Sequence, residues 1–125
     1  MGRAIAVLRL TGRRSGARYT IPVSYQRNDG SVTIITKRLR TWWRNLIGGA
    51  PVAIRLAGVD HAGTATAVAG GEELFDAVAA FLHGRRIDAR AYGLELRVDG
   101  SVDPDDLRQI IDELVVVEVR LSSER

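Results

Sequence analysis

Tyr19-Thr20-Ile21-Pro22-Val23-Ser24-Tyr25-Gln26-Arg27-Asn28-Asp29-Gly30-Ser31-Val32-Thr33-Ile34-Ile35-Thr36 is the stretch on which the fold turns. Tyr19, Ile21, Val23 and Tyr25 alternate with Thr20, Pro22, Ser24 and Gln26, the period of two that puts apolar side chains on one face of a strand and small polar ones on the other. The polar face is available to a ligand. Asn28-Asp29-Gly30 is a strong hairpin signal, so residues 19–27 and 31–36 are read as antiparallel neighbours. Pro22 has no amide hydrogen for a ladder, which puts its strand at an edge, a bulge or a split in the sheet.

Working outward, residues 5–10 read as an earlier strand joined by the Gly-bounded loop Thr11-Gly12-Arg13-Arg14-Ser15-Gly16. Downstream, Thr41 is placed to cap a short helix over residues 42–47, ended by Gly48-Gly49 and kept from continuing by Pro51. Residues 52–57 and 63–69 read as two strands joined across Gly58-Val59-Asp60-His61. Leu74, Phe75, Val78, Phe81 and Leu82 form one apolar stripe of a helix over residues 72–83. Asp103-Pro104 opens a third helix that buries Leu107, Ile110, Ile111 and Leu114. Residues 115–121 close the chain as a strand, continuously apolar at first and then alternating. The expected fold is mainly β with peripheral helices (α+β): a six-stranded antiparallel β-barrel in one domain over residues 1–125.

The 125 residues include no cysteine, which excludes disulfides, thiolate metal sites and cysteine nucleophiles and suits a reducing cytoplasm. The start, Met1-Gly2-Arg3-Ala4, leads into an apolar run broken at Arg9, too short for a signal sequence or a membrane span. The expectation is a cytoplasmic protein without a stable membrane anchor. The net charge of +3 is uneven: basic residues crowd into the segment from Arg3 to Arg55, while acids collect at residues 72–76 and 99–118. Lys37 is the only lysine, so nearly all the positive charge is guanidinium, suited to bidentate contact with phosphate and carboxylate. A GC-rich genome produces the same arginine bias.

Two segments have the composition of an anion site. In the first loop, glycines, Arg13, Arg14 and Ser15 can present backbone N–H groups, guanidinium forks and a hydroxyl to one anion; an ordinary hairpin turn with solvated arginines has the same composition. Residues 36–45 set several cations and two indoles at a helix start. Adjacent tryptophans cannot share one helical face, so one is expected in the core and the other at a cleft or partner surface. His61 and His83 lie in different elements without metal-ligand spacing, and no GxSxG motif supports a serine nucleophile, so no metal is expected. The acids at residues 99–106 lack the twelfth-position glutamate of a calcium loop and read as helix-start acids. No catalytic side chain is assigned.

Leu10-Thr11-Gly12-Arg13-Arg14-Ser15-Gly16, Tyr19-Thr20-Ile21-Pro22-Val23, Thr36-Lys37 and Trp42-Trp43-Arg44-Asn45-Leu46, in this order, resemble the deazaflavin-dependent nitroreductase family of the flavin/deazaflavin oxidoreductase superfamily. The resemblance runs from about Val7 to Val68, with a weaker match in the closing strand, Leu114 to Leu121. It implies a split, FMN-binding-like β-barrel and an oxidoreductase that passes hydride from a reduced 8-hydroxy-5-deazaflavin coenzyme (coenzyme F-420) to a hydrophobic, electron-poor quinone, enone or nitro compound. It further implies that Arg13, Arg14, Ser15 and Gly16 hold the coenzyme phosphate and acidic tail. Thr20, Ile21 and Pro22 would line the ring, Ile35, Thr36 and Lys37 would contact ring or phosphate, and Trp42, Trp43 and Asn45 would close the site. Arg38-Leu39-Arg40 replaces the family's glycine-rich stretch, so the pocket rim differs. FMN is the alternative coenzyme, and a non-catalytic coenzyme carrier the alternative role. Single-stranded nucleic-acid binding, a third reading, is not expected and would show as salt-dependent oligonucleotide affinity. Monomer and homodimer both fit.

Overall fold

The computed structural model describes residues 4–122; Met1, Gly2 and Arg3, on which the reading of the chain start partly rests, lie outside them. Six strands run in the order β1 (Ile5–Thr11), β2 (Arg18–Asn28), β3 (Ser31–Lys37), β4 (Ala50–Leu56), β5 (Val59–Val68) and β6 (Leu114–Leu121). Every neighbouring pair is antiparallel, and the sheet closes as β1-β2-β3-β6-β5-β4. The expected six-stranded barrel is therefore present. Ala6, Leu8 and Leu10 of β1 face inward opposite Val23, Ile21 and Tyr19 of β2. Val32 and Ile34 of β3 and Val115, Val117 and Val119 of β6 complete the core by the same alternation.

Two turns set the registers. Asn28 pairs with Ser31 across Asp29-Gly30, where Asp29 takes a φ of 39°. The second hairpin is tighter than the sequence reading: Leu56 pairs with Val59, leaving Ala57 (φ 50°) and Gly58 (φ 84°) as a two-residue turn. Both φ values are positive, as a turn matching the strand twist requires. Val59, Asp60 and His61, expected in the connection, belong to β5 because Asp60 sits opposite Arg55, which donates to its carboxylate at 2.9 and 3.1 Å.

Helices cover one flank of the barrel. Helix α1 (Gly71–Leu82) buries Leu74, Val78, Phe81 and Leu82, four members of the expected stripe. Their partners are the outward faces of β3 and β6, Ile35, Leu114 and Val116. This explains the opening of the last strand: its first residues are buried on both faces, one by the barrel and one by α1. Helix α2 (Arg86–Ala91) was not expected from the sequence, and α3 (Pro104–Ile110) is capped by Asp103, whose carboxylate accepts from the Asp105 and Asp106 amides. The expected cap at Thr41 does not form. Residues Trp42–Leu46 make a single 3₁₀ turn, and the Thr41 side chain caps nothing.

Beyond α1 the outer face of β6 becomes polar. Glu118 is half-buried there and accepts the Thr33 hydroxyl at 3.0 Å. Burial, helped by the negative charge of Glu73, holds its carboxyl above the usual value of 4.5, although the Thr33 bond acts the other way. The folded state therefore binds this proton more tightly than the unfolded chain. Its contribution to stability is complete at low pH and falls as pH rises from 4.5 through the raised folded value. Glu118→Gln is expected to flatten that fall and to melt above the parent at neutral pH. Parallel thermal melts from pH 4 to 8 check this; identical pH slopes for the two proteins contradict it.

Candidate functional site: a groove where the barrel splits

The site comes from a lapse in strand pairing. β2 pairs with β1 from Arg18 to Ser24, yet meets β3 only from Tyr25 to Asn28. β3 runs on past Ile34, with Ile35, Thr36 and Lys37 paired to β6 alone. Between these diverging segments lies a groove of about 520 Å³, within the roughly 300–1,000 Å³ usual for small-molecule sites. Pro22 stands on its β2 wall, and a residue without an amide hydrogen leaves no orphaned donor at that open edge.

Ile21, Pro22 and Val23 make one apolar side, Ile35 and Thr36 the other. Trp42 and Tyr92 add aromatic surface, and Lys37 and Arg40 bring positive charge. Among the described residues no acidic side chain lines the groove. Two further concavities lie on the outer sheet, one beside Glu118 and one over Arg9, Arg18 and Thr20. Neither has paired apolar walls facing each other across a break in the ladder.

The segment after β3 is shaped by Arg38. Its guanidinium donates to the carbonyls of Asp112 (2.8 Å), Leu114 (3.1 Å) and Ala69, and its own carbonyl accepts from the Trp43 indole at 3.1 Å. Drawing Arg38 in throws Leu39 out, 78% exposed, and turns Arg40 to the groove. The adjacent tryptophans divide as expected: Trp43 is 5% exposed in the barrel core, and Trp42 lines the groove.

The first loop is closed on itself. The Gly12 amide donates to Ala17 O (2.7 Å), Gly16 to Gly12 O (3.0 Å), and Ala17 to the Ser15 hydroxyl (3.1 Å). A Cβ on Gly12 would stand 3.1 Å from both Ser15 Oγ and the Tyr19 ring, so the tight loop favours glycine. Asn45 ties this loop to the groove wall: its Oδ1 accepts from the Arg13 amide at 2.9 Å, and its Nδ2 donates to Trp42 O at 3.0 Å. Arg13, Arg14, Ser15 and Gly16 are exposed. Among the described residues, no acidic group forms an ion pair with Arg13 or Arg14.

Of the residues singled out in the sequence, Ile21, Pro22, Ile35, Thr36, Lys37 and Trp42 meet in the groove. Asn45 and the loop adjoin it through hydrogen bonds. Two are placed elsewhere: Thr20 points to the outer face of β1 and β2 beside Arg9 and Arg18, and Trp43 serves the core. The sequence reading missed Ser24, Arg40, Ala91 and Tyr92, all on the groove wall. Ser24 was within reach, being in the polar alternation of β2. Ala91 ends, and Tyr92 caps, a six-residue helix with no apolar period to reveal it.

Fold and groove together define a split β-barrel with an open groove between apolar walls and positive charge at its rim. Residues 1–82, about two-thirds of the chain, match the family model described as F420H(2)-dependent quinone reductase, and the chain belongs to this family. It is thus a deazaflavin-dependent reductase, with FMN-binding barrels among its structural relatives. General Stress Protein 26 from Bacillus anthracis str. Sterne shares the fold at 14% identity and a TM-score of 0.58, over 96% of this chain and 81% of that one. An F420 reductase does so at 14% and 0.55, over 97% and 88%. A pyridoxamine 5'-phosphate oxidase-related, FMN-binding protein from Nostoc punctiforme PCC 73102 does so at 13% and 0.55, over 94% and 70%. No curated protein matches the chain significantly by sequence.

Proposed function

We propose that the groove between β2 and β3 seats the ring of a reduced deazaflavin coenzyme beside a quinone. The observation that carries this reading is the lapse in β2–β3 pairing, which sets apolar walls face to face with Lys37 and Arg40 at their rim. The residues fit the group: Ile21, Pro22, Ile35, Thr36 and Trp42 hold the ring, and Lys37 with the loop residues Arg13, Arg14, Ser15 and Gly16 holds phosphate and acidic tail. When bound and reduced, the coenzyme supplies hydride to an electron-poor acceptor. The chain's part is to orient and to polarise. Lys37 and Arg40 stand exposed at the rim of the apolar walls, where their positive charges favour negative charge on a bound group. Quinones lead the acceptors and nitro compounds follow; the chain acts as one cytoplasmic domain, monomeric or homodimeric. No described helix is long and apolar enough to cross a membrane.

Quenching of coenzyme fluorescence tests the reading, and absence of binding at micromolar concentration overturns it. Lys37→Glu is expected to weaken the coenzyme by about 10-fold, as replacing an attraction to an anion at a solvated rim by a repulsion costs on the order of 1.4 kcal/mol. Parent-like affinity removes Lys37 from the site. FMN, favoured as an alternative by the FMN-binding relative, has no acidic tail and should lose less from the same change. Rapid oxidation of bound reduced coenzyme by menadione in a single turnover separates an enzyme from a carrier.

A further inference from the structure

The groove wall beyond the family match is anchored by a buried charge cluster. Asp88 of α2 is 3% exposed. Its Oδ2 accepts from Arg85 Nε at 3.0 Å, and its Oδ1 accepts from the Ser24 hydroxyl at 3.0 Å. Arg85 Nη2 donates to Tyr25 O at 2.9 Å and to Ser24 Oγ at 3.4 Å, and the guanidinium stacks 4.3 Å over the Phe81 ring. These bonds gather where the strands part: Tyr25 is the first β2 residue paired with β3, and Ser24, just before it, lines the groove.

The polarity of Ser24 follows. A carboxylate held by a guanidinium only accepts hydrogen bonds, and a serine has a single proton to give. That proton is committed to Asp88 and one oxygen lone pair to Arg85, so what Ser24 has left to offer the groove is acceptor capacity. Lys37 and Arg40 can only donate. Ser24 therefore presents an acceptor beside the donors Lys37 and Arg40.

We propose that Ser24 is a specificity-determining contact that accepts a hydrogen bond from the ring N–H of the coenzyme, and that Asp88 and Arg85 are positioning residues that fix its acceptor polarity. The inference rests on the deazaflavin reading of the groove. Flavin and deazaflavin rings share an imide, an N–H flanked by two carbonyls, and a groove that sets the Ser24 acceptor beside the donors Lys37 and Arg40 is complementary to that pattern.

The test compares equilibrium binding of the coenzyme with that of an analogue methylated at the imide nitrogen, using the full chain and fluorescence quenching. The parent protein is expected to prefer the N–H form by about tenfold, the size of one buried hydrogen bond. Ser24→Ala should abolish the preference while leaving the methylated analogue's affinity unchanged, and Ser24→Thr, which keeps the hydroxyl, should retain it. Asp88→Asn can donate to Ser24 and free its proton, so the preference should shrink; an unchanged preference in that variant overturns the positioning role. Should Asp88→Asn not fold, the two Ser24 variants decide. Equal weakening of both ligands by Ser24→Ala shows a merely structural residue and overturns the proposal, as does a parent that binds both forms alike. A parent that binds neither form overturns the coenzyme reading itself, a result distinct from either of these.

Discussion

Arg85→Ala is expected to destabilise the protein by about 3–5 kcal/mol, the cost typical of leaving one member of a buried ion pair without its partner. Asp88 has almost no exposure to water, and after the substitution its Oδ2 loses the charge-assisted bond to Arg85. Tyr25 O loses its donor where β2 leaves β3, and Phe81 loses the cation over its ring. For a chain of this length the melting temperature should fall by roughly 10–20 °C. Because the two side chains share a buried, charge-assisted bond, adding Asp88→Ala to Arg85→Ala should cost less than the two single changes summed. Calorimetry of the four proteins reads this directly, and strict additivity contradicts a coupled pair. The groove should suffer as well, since α2 brings Ala91 and Tyr92 to its wall.

Arg38→Ala should cost about 2–4 kcal/mol, or roughly 8–16 °C in melting temperature. One guanidinium here serves three carbonyls: Ala69 just after β5, Asp112 in the turn before β6 and Leu114 at its start. Removing it leaves those acceptors to find water at a partly buried junction, and the Trp43 ring also loses a cation 5.7 Å from its centroid. Lysine should rescue little, because an ammonium lacks the planar fork that spans separate carbonyls. Denaturant melts of Arg38→Ala and Arg38→Lys check both statements. A lysine variant as stable as the parent shows that charge alone matters, contrary to the geometry.

This residue shows how a departure from a family pattern becomes legible only in three dimensions. In the sequence, Arg38-Leu39-Arg40 is a basic interruption of the expected rim. In the structure the two arginines have opposite duties: Arg38 turns inward to bind backbone carbonyls, and Arg40 faces the groove. Nothing local distinguishes them, because their difference depends on where the β5 and β6 termini lie. Trp42 and Trp43 pose the same problem. Their sequence shows that they must diverge, while the position of the barrel core decides that Trp43 is the one inside.

The alternation in residues 19–36, the turn at Asp29-Gly30, the break implied by Pro22 and the apolar stripe of α1 were all written in the sequence. Each is a short-range property of the chain, set by a period of 2 or 3.6 residues or by the missing amide hydrogen of one proline. Pro22 announced an edge, a bulge or a split without choosing among them. The tertiary structure chose the split, because β2 follows β1 along its first half and joins β3 only from Tyr25. It also brought α2 to the opening, where Asp88 and Arg85 meet Ser24 from more than sixty positions away in the chain. A groove made by strands that part, and walled by segments distant in sequence, is a property of packing and not of any one stretch of residues.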